Sequence, residues 1–207
     1  MRPRRTASLA FPLLAACSVT PKPEPPVLDR PVAAVLVLPI LDETGHAPRR
    51  ELLATIAAPL RARGYCVVPP AAGAHWLAAG RFEGVEALSP ELAAWARERG
   101  IEALLAIRVI HWDADWLNGL RRLDARLSYR LVATDGRGLL WERDSGSQYE
   151  FDEQAGAWAF GAHEGSGGFG FGFGGYDRES PYRSAIDVCR GINRGVATYM
   201  PKGALHP

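Results

Sequence analysis

The residues able to do chemistry are few. Asp42, Glu43 and His46 crowd together just after an apolar run from Val32 to Leu38. A carboxylate beside an imidazole can move a proton. If the run is a strand of an open α/β sheet, its carboxyl end is where ligands bind. The plainer use of Asp42 and His46 is to close a polar loop and cap a helix. No Gly-x-Ser-x-Gly nucleophile motif accompanies them. His111, Asp113 and Asp115 are spaced by two and share a face if the chain stays extended, which is a spacing for metal ligands. Asp113, Asp115, Gly119 and Asp124 brush the calcium-loop pattern, but Leu117 stands where an oxygen ligand belongs. A solvated hairpin end packed by Trp112 and Trp116 is the expected outcome, with no metal, no cofactor and no catalytic residues.

A Gly-rich stretch, 161–176, holds Phe169, Phe171, Phe173 and Tyr176. Its Gly-x-Gly-x-x-Gly matches come from composition, because a dinucleotide fingerprint needs a strand before it and a helix opening on it. Two readings stand side by side: a flexible loop presenting aromatic anchors to a partner, and a disordered insertion.

Three cysteines remain: Cys17, Cys66 and Cys189. Cys17 follows Arg2, Arg4 and Arg5, an apolar run from Ala7 to Ala16, and the small residues Ala15 and Ala16. This is the order of a secretory signal, n-region then h-region then cleavage site. The run is far shorter than the ~20 residues that span a bilayer. Leu14-Ala15-Ala16-Cys17 resembles a bacterial lipoprotein box, in which the cysteine is acylated and becomes the new N-terminus. Acyl chains anchor through buried CH₂ groups worth ~0.8 kcal/mol each, so more than one chain holds stably. By analogy with such proteins, Ser18 points to the outer membrane over the inner one, and the expected placement is a lipid-anchored domain facing the periplasm, a face that Ser18 does not set. In that oxidising compartment Cys66 and Cys189 are a candidate disulfide, the alternative being two buried free thiols.

The elements that must position these residues read as follows. Residues 1–16 are the signal, and 17–31, with five prolines, an extended tether reaching roughly 40 Å. Residues 32–200 form one α/β domain, and 201–207 a tail. Val32 to Leu38 is a buried strand. A helix runs from about Pro48 to Arg63, with Gly64 just past its end and a kink or break expected at Pro59. Tyr65 to Val68 is a second strand, and Ala71 to Gly80 a short helix. Pro90 opens a helix that ends near Arg99. Ile101 to Trp112 is another apolar strand. Leu123 to Ala133 alternates apolar with polar, which marks a half-wet antiparallel strand. Asp135 to Gly138 is a turn, and Leu139 to about Phe151 the returning strand. Tyr182, Ile186, Cys189, Ile192, Val196 and Tyr199 mark one face of a last helix. The order β-α-β-α-α-β-β-β-α predicts a mixed sheet of about five strands with helices packed on it.

These blocks carry a family resemblance. Ala34 to Pro39 and Thr55 to Pro69, with its mid-helix Pro59, resemble a bacterial outer-membrane lipoprotein family of unknown function, one member of which is a meningococcal vaccine candidate. The hairpin from Ala125 to Trp141 and the ending Tyr199 to Leu205 are similar to it as well. That family is similar in fold to the N-terminal domain of TolB and to CsgG-type accessory lipoproteins. The resemblance implies a non-catalytic component of an envelope transport or secretion assembly, with CsgG-like lipoproteins as partners and a capacity to form a homodimer. The chain departs from the family at the Gly/Phe stretch, where a small-apolar helical segment is usual, and at Cys66, where an aromatic residue is common.

Composition narrows the rest. The 24 Lys and Arg against 23 Asp and Glu give +1, and loss of Arg2, Arg4 and Arg5 with the signal leaves the mature chain near −2. No basic excess remains to neutralise phosphates, so no nucleic-acid partner is expected. The expected role is an outer-membrane-anchored interaction subunit. The alternative is a binding module for a small envelope ligand or peptidoglycan, and behind it a hydrolase.

Overall fold

The computed structural model describes residues 24–73, 90–116, 121–152, 157–160 and 184–205. The signal region, Cys17, and the aromatic residues Phe169, Phe171, Phe173 and Tyr176 lie outside the described residues.

The elements are β1 (Ala34–Val37), β2 (Leu41–Asp42), α1 (Arg49–Ala62), β3 (Cys66–Val68), α2 (Pro90–Glu98), β4 (Ala103–Asp115), β5 (Arg122–Ala133), β6 (Leu139–Asp152), β7 (Ala157–Phe160) and α3 (Ala185–Ala197). They build one mixed sheet in the order β3-β1-β4-β5-β6-β7, with β2 also pairing β4. The expected mixed sheet with helices packed on it is present, and β2 and β7 extend it. Pro70–Gly73 forms a single 3₁₀ turn, and the rest of the helix expected up to Gly80 lies outside the described residues.

The sheet is half parallel and half antiparallel. β3 and β4 flank β1 in parallel, as their helical connections require. β4, β5, β6 and β7 form antiparallel pairs. One face carries the main core: Val35, Val37, Leu105, Ile107, Leu127 and Tyr129 pack under Leu52, Ile56 and Leu60 of α1 and Val188, Ile192 and Val196 of α3. Among the described residues the other face is covered only locally. There Leu36, Leu38, Leu104 and Ala106 pack against Leu92, Trp95 and Ala96 of α2. That is why β1 is apolar on both sides while β5 alternates.

Two sequence expectations change in detail, and the tail gains a definite place. α1 is continuous through Pro59. A proline removes one ladder bond and costs roughly 3 kcal/mol, and here Leu52, Ile56 and Leu60, all buried on the sheet, hold the helix past it. The inward face of α3 is rotated from the expected one: Ile186 is 39% exposed while Val188 and Asn193 are fully buried. The tail is not loose. Gly203 N–H donates to Arg63 O (2.8 Å), Ala204 N–H to Val32 O (2.9 Å) and Leu205 N–H to Gly64 O (3.1 Å), while Tyr65 OH donates to Pro201 O (2.8 Å). A Cβ on Gly203 would lie 2.3 Å from Gly64 O, so only glycine fits.

Candidate functional site

The loop after β1 is built by its own side chains. Asp42 Oδ1 accepts from Thr44 N–H (3.0 Å), Thr44 Oγ1 (2.7 Å) and Gly45 N–H (3.1 Å), and Oδ2 accepts from Ala47 N–H (3.1 Å). Partial burial opposes its charge, but these hydrogen bonds outweigh that and hold the carboxyl below the usual range. His46 spans two elements. Its Nε2 lies 2.7 Å from Trp112 O and its Nδ1 2.8 Å from Thr44 O. Two carbonyls can only accept, so both contacts are satisfied together by the imidazolium alone. The contact to Trp112, then that to Thr44, raises the His46 pKa. Glu43 pairs with Arg108 of β4 through Arg108 Nε and Nη2. Asp42 and His46 are thus committed to closing the loop and fastening it to β4.

A β-bulge between Val109 and His111 shifts the phase of β4. It turns Trp112 into the main core and sets His111, Asp113 and Asp115 on the open face, as their spacing predicts. There they find separate partners. His111 Nε2 lies 3.8 Å from Asp124 Oδ2, and Asp113 Oδ2 accepts from Arg122 Nη2 (2.7 Å). Among the described residues, no three His, Cys, Asp or Glu side chains converge on one point.

The candidate disulfide is corrected. Cys66 is exposed, Cys189 is buried, and both are free. Cys66 shares the parity of Val68, which packs on the α2 side of the sheet. Cys189 packs in the main core on the opposite side. The sheet therefore separates the two thiols, and a bridge needs Cα atoms within ~7 Å. Burial pushes the Cys189 thiol up to about 12.

Sequence reasoning missed one concave feature. A groove of about 530 Å³ lies between α2 and the β5–β6 hairpin, lined by Pro90, Ala93, Arg97, Arg130, Val132 and Leu139 among others. A smaller hollow of about 260 Å³ adjoins it and shares Arg97 and Thr134. It adds Arg30, Arg137, Glu102 and Asp135. The lining residues come from three separate stretches of chain, so no local spacing announces them. Asp42 and His46 line neither hollow.

No family model and no curated protein matches the chain. Solved structures similar to it include the lipoprotein GNA1162 from Neisseria meningitidis, at 24% identity over 56% of this chain and 82% of that chain, with a TM-score of 0.43. The PelC dodecamer from Paraburkholderia phytofirmans is similar over 87% of this chain and 95% of that chain, at 14% identity and a TM-score of 0.48. The hypothetical protein CT253 from Chlamydia trachomatis follows at 13% identity, 61% and 76% coverage and a TM-score of 0.41.

Proposed function

We propose that the mature chain is a non-catalytic, outer-membrane-anchored lipoprotein facing the periplasm, and that it serves as an interaction subunit of an envelope transport or secretion assembly. The observation that carries the anchor is Cys17 behind a basic n-region, a short apolar run and Ala15-Ala16. Among the described residues no helix is long and apolar enough to cross a membrane, so attachment falls to the acyl chains.

The subunit role draws support from the open sheet face. Arg108, Arg126, Arg130, Asp124, Glu142 and Asp144 line it in mixed sign, and Leu41 and Ile110 stand exposed beside them. Such a face suits a specific polar contact more than a solvent-only surface. The test is crosslinking and co-purification from native outer membranes. Capture of a defined envelope partner is the expected result. Recovery of monomer and lipid alone sinks the subunit role, and soluble protein with an unmodified Cys17 sinks the anchor.

A further inference from the structure

The chain enters the domain at one end of the sheet, and that end is cationic. Arg137 Nη1 donates to Arg30 O (3.1 Å), and Ala33 N–H donates to Glu102 Oε2 (2.6 Å) just before β1 begins. Residues 30–33 therefore pass between the β5–β6 turn and the start of β4. The two adjoining hollows open at this same place.

Their lining sets four arginines, Arg30, Arg97, Arg130 and Arg137, against two carboxylates, Glu102 and Asp135. Both carboxylates are engaged. Glu102 holds Ala33 N–H, and Asp135 accepts from Arg137 Nε at 2.9 Å and lies 3.9 Å from Arg30 Nη1. Arg130 faces Glu142 at 3.6 Å. The side chain of Arg97, shared by both hollows, takes no hydrogen bond or ion pair among the described residues. Apart from Thr134 and the turn backbone, the rest of the larger groove is apolar, with Pro90, Ala93, Val132 and Leu139, the last 50% exposed. Over Gly136 and Gly138 nothing lies within 4 Å of where a Cβ would be, so a ligand can approach the turn backbone closely. The whole mature chain is slightly acidic, so this is a local site and not a general attraction.

We infer that the groove between α2 and the β5–β6 hairpin binds the phosphate headgroup of an anionic membrane lipid, with Arg97 as its main contact, and so seats the domain on the membrane to which it is tethered. Arginine suits phosphate because its fork of donors meets two oxygens at once. The apolar lining suits the glycerol and first methylenes behind the headgroup. Leu28 already packs against the main core, so the tether counts from Cys17 to about Val27, roughly 30 Å when extended, and it keeps the groove within reach of headgroups at high effective concentration. This inference rests on the lipid-anchor reading.

The test uses the full chain matured in a lipoprotein-processing host and reconstituted into two kinds of vesicle: phosphatidylcholine alone, and phosphatidylcholine with phosphatidylglycerol. Amide hydrogen exchange across 90–99 and 130–139 is compared. Exchange there should slow in the anionic vesicles. Arg97→Gln should weaken that slowing about fivefold, with an unchanged melting temperature showing that it is folded, and Arg97→Lys should keep most of it. Equal exchange in the two vesicles overturns the inference, as does full slowing in Arg97→Gln. Equal slowing by inorganic phosphate in phosphatidylcholine vesicles overturns the lipid assignment in favour of a free anion. Intact mass reports acylation of Cys17 separately, so failure of the anchor and failure of the groove are read by different instruments.

Discussion

His46 couples a titration to the position of a loop. Its two carbonyl contacts need both ring protons, and its pKa is raised from the ordinary 6.5, first by the contact to Trp112. Asp42 and Asp113 add attraction from the loop and from β4. A raised folded pKa means stability fully present below the unfolded value and lost as pH rises through the folded one. The melting-temperature gap between the parent and His46→Gln should therefore be widest near pH 5 and close toward about pH 8. A gap independent of pH would contradict the doubly donating ring. Asp42 runs the other way, because its lowered pKa gives stability that is lost as pH falls through the folded value. Asp42→Ala should cost about 1–2 kcal/mol in urea unfolding near neutral pH, because it removes the charged acceptor of several loop N–H groups. Both residues were legible as a polar cluster, and their structural duty was one of the two fates the spacing allowed. What the spacing could not tell was that His46 would reach across to Trp112. Cysteine pairing was illegible for a related reason, since it depends on which side of a sheet each element falls. Thiol titration should find Cys66 reactive in the folded protein and Cys189 only after denaturation, both without reductant.

The helices show how one buried polar group can fix a register. Asn193 of α3 donates to Leu52 O and Thr55 Oγ1 of α1, both at 2.8 Å, and accepts from Tyr129 OH at 3.2 Å. Three elements meet at this amide, and all its contacts are buried. A satisfied network of this kind fixes one alignment of neighbours, whereas a half-satisfied one is costly. Asn193→Leu strands the Tyr129 hydroxyl and should destabilise by about 2–3 kcal/mol. Tyr129→Phe should cost only about 1 kcal/mol. Chemical denaturation of the two single variants and the double variant would read the coupling, and additive losses would argue against a shared network. Periodicity could not place this contact, because it marks α3 by its apolar positions and counts Asn193 as polar. With the inward face shifted toward Val188 and Asn193, Ile186 is left outside. The hairpin, by contrast, was fully legible. Its Asp135-Gly136-Arg137-Gly138 turn needs positive φ at two places, and glycine stands at both, with φ of 92° and 77°.

Across the whole molecule, the alternation of elements announced a mixed sheet, because each local pattern agreed with the layer it had to build. The uneven cover did not show in it. Among the described residues, α2 shields one end of the second face, and the remainder is largely polar and open. That incompleteness concentrates the candidate contacts, the charged face and the arginine groove, on a single side. The C-terminal clasp matters at this scale too. Gly203→Ala places a methyl against the Gly64 carbonyl and should lower stability by about 1–3 kcal/mol. Unfolding by heat would show it as a lower melting temperature with the same cooperative shape.

The same clasp sets an order of events. Ala204 closes on Val32, so residues 203–205 join the turn after α1 to the lead into β1. Synthesis runs from N- to C-terminus, so β1 and α1 are made well before this clasp. Until then, the turn after α1 lacks the backbone partners of Gly203 and Leu205. The join therefore forms late. Removing residues 203–205 leaves the turn after α1 and the lead into β1 unlatched.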